Sequence, residues 1–277
     1  MSIDANSRAV PLYDDPWNVA AIAVLAFVLA DVAHEVIGHG IGYVLAGGKA
    51  CVLTTTRLIA ANRQLGDFGG MVFDTGGPLG NLSFAAIAWL GQRVVKRPAP
   101  RLRLLLWLLM AFSLFWGFGY LLFCGVVARG DWFALIRGAQ YLLLWRSVFV
   151  VAGLGLYLAC ERLVAAELHW IVPASDANWR IRVRRLVLTS YAAGGLIACA
   201  GAILDPRGIW EVWNSGAMSS FVAALGLLRT PRLFPGLPDK PVASASVVGR
   251  SGGWILAAAI VSIFYIAILG PGVKVTL

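Results

Sequence analysis

The chain has 277 residues, of which 59% are hydrophobic and 13% are charged, and its mean hydropathy is +0.77. Soluble domains carry about 25% charged residues, so this composition excludes an ordinary soluble protein. The formal net charge of +9 does not indicate a nucleic-acid partner, because the Lys and Arg residues cluster in short loops between apolar stretches. We therefore predict an integral membrane protein whose basic loops contact anionic lipid.

Apolar stretches of about 20 residues recur along the chain, and this is the length of a helix that crosses a bilayer. They predict an all-α fold class, a polytopic transmembrane helical bundle of about six to seven spans. The predicted spans cover residues 17–46, 71–92, 104–128, 147–171, 186–204, 209–228 and 252–270, with a partial or interfacial helix at 132–146. The span at 209–228 begins with a polar stretch that contains Glu211, Asn214 and Ser215.

Two further segments are predicted from composition. Residues 1–16 are polar and lack a basic region and a cleavage site, so we predict no removable signal peptide. The stretch from Lys49 to Leu58 is rich in β-branched residues, which predicts a short strand or β-hairpin at the membrane edge after the first span. The four cysteines form no CxxC pair, so we predict neither a disulfide framework nor a thiolate metal site.

The distribution of positive charge predicts the orientation of the chain. More than half of the Lys and Arg residues lie in the N-terminal segment and in the predicted loops 93–103, 171–185 and 229–250. The positive-inside rule then predicts that the N-terminus lies in the cytoplasm. The membrane itself would be the cell or inner membrane. The same alternation of spans is expected to bring five polar residues to one membrane face: His34, His39, Asp74, Asn81 and Asp131.

The first span contains a polar motif, His34-Glu35-Val-Ile-Gly-His39, which holds two of the three histidines in the chain. Such groups are costly in hydrocarbon, and a bound metal ion would compensate that cost. In zinc hydrolases the usual spacing is H-E-x-x-H, one residue shorter. On a regular α-helix five residues rotate by roughly 500°, so the two imidazoles would point about 140° apart.

Three interpretations of this spacing are open. A π-helical turn near Ile37 would realign both histidines, and such turns are frequent at functional sites. Alternatively, Glu35 and His39 are the ligands and His34 is an outer partner. In the third interpretation the histidines form a polar interhelical cluster without metal. We favour the first.

The motif resembles that of the site-2 protease family of intramembrane zinc metalloproteases. The segment from His34 to Gly40 is similar to the family's H-E-x-G-H helix, and the Gly-Gly-Lys49 turn with a following strand is also similar. The segment from Phe73 to Asn81 is similar to the family's A-G-P-x-x-N motif. The match covers residues 17–140, which would form a metalloprotease-like membrane core. Residues 141–277 would add transmembrane helices to the same domain.

The resemblance implies a site and an activity. His34 and His39 would bind Zn²⁺, Glu35 would be the general base, and Asn81 would hold the substrate or the oxyanion. The family takes its third ligand from an Asp on a later core helix, and Asp131 is the best-placed candidate in this chain. The function implied is an intramembrane zinc endopeptidase that cleaves a transmembrane or membrane-proximal peptide.

Other roles for these acidic residues are open. Asp131 is equally well explained by an ion pair with a neighbouring Arg. Asp74, the alternative third ligand, precedes Thr-Gly-Gly-Pro and fits better as a helix N-cap or outer partner. His169 with Glu161 and Glu167 indicates an interfacial polar pair rather than a second metal site.

Two other functions are also open. The longer histidine spacing is compatible with a non-proteolytic binding or regulatory protein of the same fold. A metal or proton transporter could use the acidic and histidine residues as a relay, although the sequence shows no inverted repeat. The sequence predicts no oligomeric state.

Overall fold

The computed structural model describes residues 13–60, 65–95, 99–172, 178–234 and 247–276. It is mostly helical, with 78% of the residues in helices, and it contains a small three-stranded sheet. The helical class is therefore confirmed, with the sheet as an addition. Most of the predicted polar segment 1–16, and parts of the predicted loops 93–103, 171–185 and 229–250, lie outside the described residues.

The first helix, which is long and apolar enough to cross a membrane, is continuous from Pro16 to Leu45 but changes its geometry along its length. It consists of α1 (Pro16–Val32), a π-helix at Ala33–His39 that we call the π-segment, and α2 (Gly40–Leu45). Asp15 caps the start, because its side chain accepts a hydrogen bond from the Asn18 amide at 2.9 Å and Pro16 occupies the first helical position.

The predicted strand after the first helix is a hairpin, and a third strand from the C-terminus joins it. Strand β1 (Ala50–Leu53) pairs antiparallel with β2 (Leu58–Ala60) and with β3 (Val273–Thr276), in the order β2-β1-β3. The β3 strand was not predicted: Val273 to Thr276 alternates apolar and polar residues, but its pairing partner lies more than 200 residues away. The sheet joins the hairpin after the first helix to residues 273–276.

Two long helices follow the hairpin. They are α3 (Asp67–Val94) and α4 (Pro100–Val127), and a 3₁₀ turn at Asp131–Leu135 follows them, which we call the Asp131 turn. Helix α3 packs against the π-segment, α2, α4 and the Asp131 turn. It begins four residues earlier than the predicted span at 71–92, so Asp74 lies inside the helix. The N-cap interpretation of Asp74 was therefore wrong.

The second half of the chain packs around α1 and α4. It comprises α5 (Leu142–Glu167), α6 (Trp179–Ala202), a π-helix at Val212–Val222, a 3₁₀-helix at Ala223–Arg229, α7 (Thr230–Leu233), α8 (Gly252–Phe264) and a π-helix at Tyr265–Leu269. Instead of the partial helix predicted at 132–146, the structure has the Asp131 turn and then the start of α5 at Leu142.

Five helices in the described part of the chain are long and apolar enough to cross a membrane. They are Pro16–Leu45, Pro100–Val127, Leu142–Trp170, Trp179–Ala202 and Gly252–Leu269. The predicted spans at 71–92 and 209–228 are not among them, so the count of six to seven spans is not confirmed. Helix α3 contains Asp67, Asp74 and Asn81, and the segment at 209–228 is broken into π and 3₁₀ turns.

The main hydrophobic core lies between α1, α4, α5 and α6. Its largest buried side chains include Phe27, Trp107 and Phe115, and the Trp107 indole donates to the Val164 carbonyl at 2.9 Å. The core draws residues from both sides of position 140, so the two predicted halves share one core. This core holds the end of α1 and the end of α4 beside each other.

Candidate metal centre

The π-segment places His34 and His39 on the same side of the first helix. Hydrogen bonds from residue i to i+5 widen the helix, so residues five apart lie above one another, as residues four apart do in an α-helix. The two imidazole rings meet edge to face, with their centroids 4.8 Å apart. The prediction of a π-helical turn at this motif is confirmed.

Glycines let α3 approach the π-segment backbone to backbone. A Cβ on Gly38 would lie 2.7 Å from the Gly77 Cα, and a Cβ on Gly80 would collide with the Ala33 carbonyl oxygen. Gly38 faces Gly76 and Gly80 on α3, and Gly42 meets the backbone of Val72 and Phe73. Small residues four apart, as in both of these glycine pairs, are typical of close helix crossings in membranes. This close crossing brings α3 under the two histidines.

Asp131 completes the group from the turn after α4. The helix ends at Ala128 with a positive φ of 57°, and Gly130 with a φ of 98° redirects the chain. The Oδ2 atom of Asp131 then lies 3.0 Å from the His34 Nε2 atom and 3.4 Å from the His39 Nε2 atom. One potential ligand atom from each of the three residues lies within 4.8 Å of the other two.

The outer nitrogen of each imidazole contacts a carbonyl oxygen. His34 Nδ1 lies 2.7 Å from the Asn81 Oδ1 atom, and His39 Nδ1 lies 2.8 Å from the main-chain oxygen of Phe73. Because carbonyl oxygens only accept, both Nδ1 atoms must carry the proton and donate. The Nε2 lone pairs are then available for a metal ion, which is the arrangement that outer partners impose at metal sites.

Phe73 contacts His39 in two ways. Its main-chain oxygen lies against Nδ1, and its ring packs on the imidazole with centroids 5.1 Å apart. Pro78 lies further along the same helix and, having no N–H, leaves the Asp74 carbonyl without its usual helical donor. The segment from Phe73 to Asn81 therefore positions both histidines, one through Phe73 and the other through Asn81.

The charge state of Asp131 suits a ligand. Burial alone would raise the pKa of Asp131, but His39 and His34 beside it hold that pKa well below its ordinary value. The carboxylate is therefore ionised at neutral pH, as a metal ligand must be. Its Oδ2 atom is buried, makes no hydrogen bond within the described part of the chain, and has the two imidazole Nε2 atoms as neighbours.

Gly77 leaves space for an ion at the imidazole tips. A Cβ at this position would lie 2.5 Å from the His39 Nε2 atom and 2.7 Å from the His34 Nε2 atom. In tetrahedral coordination with bonds of 2.0–2.2 Å, ligand atoms are about 3.4 Å apart, close to the two Nε2–Oδ2 distances in this group. The orphaned carboxylate oxygen, the spacing and this space fit a single metal ion.

Glu35 follows the first ligand and is also buried, with 6% of its surface exposed. Its Oε2 atom has no hydrogen-bond partner among the described residues. It lies close enough to His39 and Tyr120 to interact with them electrostatically. A buried carboxylate without a partner is costly, and such groups concentrate at functional sites.

Asp74 is not part of the ligand group. Its carboxylate lies 3.8 Å from the Arg137 guanidinium, and the two side chains are 30% and 49% exposed. The sequence left open an ion pair between Asp131 and a neighbouring Arg. In the structure it is Asp74 that pairs with Arg137, at the surface beside the site.

Neither His169 nor its acidic neighbours belong to a metal group in the described part of the chain. His169 Nδ1 contacts the Ala166 carbonyl at 2.6 Å, and Glu167 accepts from the Arg93 guanidinium at 2.5 Å. Glu161 pairs with Arg229 at 2.7 Å. The predicted pair of His169 with these glutamates is therefore not formed: His169 contacts a main-chain carbonyl, and each glutamate pairs with an arginine.

Sequence reasoning missed two components of the site: the Phe73 carbonyl and the aromatic rings beside His34. Trp116 packs edge to face on His34 at a centroid distance of 5.6 Å, and Tyr120 does so at 6.2 Å. No sequence signal identifies the two aromatic residues, because α4 is apolar all round.

Comparison of this chain with protein-family models, with curated proteins and with solved structures gave no match.

Proposed function

We propose that the chain is an intramembrane zinc metalloendopeptidase that hydrolyses peptide bonds of membrane-embedded or membrane-proximal substrates. The observation that carries this proposal is the convergence of His34, His39 and Asp131, with the buried Glu35 next to the first ligand. Two imidazoles and one carboxylate are a common ligand set of catalytic zinc, and they leave a fourth position open.

The identity of the ion follows from the chemistry around it. Two histidines and a carboxylate also hold Fe(II) in oxygenases. A hydrolytic zinc site differs in needing a general base beside the ion, and Glu35 fits that role. Oxygenases need no such base, so the buried carboxylate favours zinc.

Each residue of the site would have its own role in the reaction. When bound, zinc would supply Lewis-acid polarisation of water and of the scissile carbonyl. Glu35 would take the proton from the attacking water and return it to the leaving amine. Asp131 and the two histidines would hold the ion, and the Asn81 and Phe73 oxygens would keep the imidazoles oriented.

The sheet offers a binding mode for an extended substrate. Thr54 N–H donates to the Arg57 carbonyl at 3.0 Å, so these two residues form a hydrogen-bonded pair of the β1–β2 ladder. Hydrogen-bonded and non-hydrogen-bonded pairs alternate in an antiparallel ladder, so the main-chain groups of Leu58 and Ala60 point away from β1. No strand lies beyond β2 in the described part of the chain, and β2 contacts the π-segment. A substrate strand added to this edge would lie beside the metal centre.

Metal content and cleavage together test the proposal. The purified chain should hold one zinc and should cleave casein or a single-span model substrate in liposomes, with inhibition by 1,10-phenanthroline. The E35Q variant should keep zinc and lose cleavage. The matched control is E161Q, a glutamate only 3% exposed that pairs with Arg229 away from the site, and it should keep both.

The other outcomes of this experiment identify the alternatives. Zinc binding without cleavage of any substrate would favour a non-proteolytic protein of the same fold, and ion flux in the liposomes would favour a transporter. Iron in place of zinc would contradict the hydrolase.

A second pair of variants tests substrate binding at the edge of β2. A60P removes the outward N–H and should slow cleavage, whereas A60S keeps this N–H and should cleave at the wild-type rate.

A further inference from the structure

Asn81 contacts two groups of the first helix with a single planar amide. Its Nδ2 atom donates to the Ala30 carbonyl at 2.8 Å, and its Oδ1 atom accepts from His34 Nδ1 at 2.7 Å. These two partners lie on either side of the change from α-helix to π-helix, which begins at Ala33. The amide therefore bridges that junction.

The hydrogen-bond ladder changes register at this junction. The Ala33 amide is shared between the carbonyls of Leu29 and Ala30, a three-centre bond of the kind that is common at helix ends. The Ala30 oxygen receives a second donor from Asn81. An external donor at this point compensates the irregular ladder of the π-segment.

The orientation of the amide determines the role of its oxygen. Because Nδ2 must point at the Ala30 carbonyl, Oδ1 points at the His34 ring and can only accept. That fixes the proton on Nδ1 and directs the His34 Nε2 atom toward Asp131.

Asn81 is fully buried, with 0% of its surface exposed, and both of its polar atoms are engaged. One Nδ2 hydrogen is used on the Ala30 carbonyl, and the second is enclosed with the rest of the side chain, so it is not presented to a substrate oxygen. Gly77 and Gly80, on the preceding turn of α3, permit the close approach that buries it.

We propose that Asn81 is a positioning residue that makes the six-residue histidine motif productive, by bracing the π-segment and orienting His34, and that it does not contact substrate. This inference rests on the metal site of the proposed function but makes a separate claim about one residue. It assigns the oxyanion contact, which the sequence resemblance gave to Asn81, to some other group.

Zinc affinity of the full chain in detergent, measured by competition with a fluorescent chelator, tests this inference. N81L should weaken zinc binding by about 10- to 100-fold, the usual cost of losing an outer partner. N81D keeps an acceptor for Nδ1–H but loses the donor to the Ala30 carbonyl, so it should restore only part of the affinity. The matched control is N18L, since Asn18 is equally buried on α1 but accepts from the Ser251 amide, far from the histidines.

A second measurement needs no metal. With ¹⁵N-labelled histidine the chain gives three imidazole signals, and wild type should show His34 protonated at Nδ1. N81L should change that signal and leave the His169 signal unchanged, whereas N18L should change neither.

The outcomes separate this inference from the proposed function. Unchanged zinc affinity and an unchanged His34 signal in N81L would overturn the inference and leave the peptidase intact. Equal loss of affinity in N81L and N18L would show a merely structural role and would also overturn it. A wild type without zinc would refute the peptidase, and the His34 signal would then decide the role of Asn81.

Discussion

Gly77 lies so close to His39 that a Cβ at position 77 would come within 2.5 Å of the His39 Nε2 atom. The same Cβ would lie 2.7 Å from the His34 Nε2 atom, so it would occupy the space between the imidazole tips. The backbone of α3 thus forms one wall of the metal centre, with no side chain in between.

This contact predicts that G77A abolishes metal binding. The added methyl group would fill the position of the ion, so we expect zinc affinity to fall at least 100-fold, measured by chelator competition. The control is G40A, because a Cβ on Gly40 meets nothing within 4 Å although the residue follows His39 directly. Zinc binding by G77A at wild-type affinity would show that the ion does not lie between the imidazole tips and Gly77.

Replacing each of the two candidate acidic ligands distinguishes between them. D131N removes the carboxylate that faces both Nε2 atoms, so we expect at least a 100-fold loss of zinc affinity. D74N removes only an exposed partner of Arg137 and should change affinity less than threefold, since exposed ion pairs contribute little. A thermal scan with added zinc should show stabilisation of D74N and none of D131N.

The buried ion pair between Asp14 and Arg182 predicts a large stability effect far from the metal. Asp14 accepts from the Arg182 guanidinium at 2.7 and 2.9 Å and from the Val248 amide at 2.7 Å. D14A should cost about 3–5 kcal/mol, because it removes this carboxylate from a guanidinium that is 2% exposed. D15A loses only a helix cap and should cost about 1 kcal/mol.

Thermal unfolding in detergent compares these two variants. Zinc affinity per folded molecule should stay at the wild-type value in both. Equal unfolding temperatures for D14A and D15A would contradict the assigned strength of the buried pair.

The C-terminal strand protects Cys51 in the sheet. Val275 on β3 lies opposite Cys51 and packs on the small cluster that contains it, where burial raises the pKa of the Cys51 thiol. Removing residues 273–277 should expose this thiol and speed its alkylation by maleimide at least 10-fold. Cys199, on α6, serves as the internal control and should react at an unchanged rate.

The sequence predicted those features of the fold that depend on local pattern. Apolar stretches of bilayer length predicted most of the long helices, because burial of apolar surface in lipid needs only composition and length. The spans predicted at 71–92 and 209–228 are not confirmed: α3 covers the first as a helix but carries polar residues and glycines, and the second is broken into π and 3₁₀ turns. Sequence reasoning also missed β3, whose pairing with β1 joins positions more than 200 residues apart.

The candidate site was likewise predicted only in part from the sequence. The amino-acid sequence by itself determined which residue types were present, and therefore named His34, Glu35, His39, Asn81 and Asp131. It left the helix geometry of the motif open, because α and π turns differ only in which carbonyl each amide bonds. Only the tertiary structure decided it: the close crossing at Gly38 and Gly80, the Asn81 amide at the junction and Asp131 from a distant turn hold the wider helix in place.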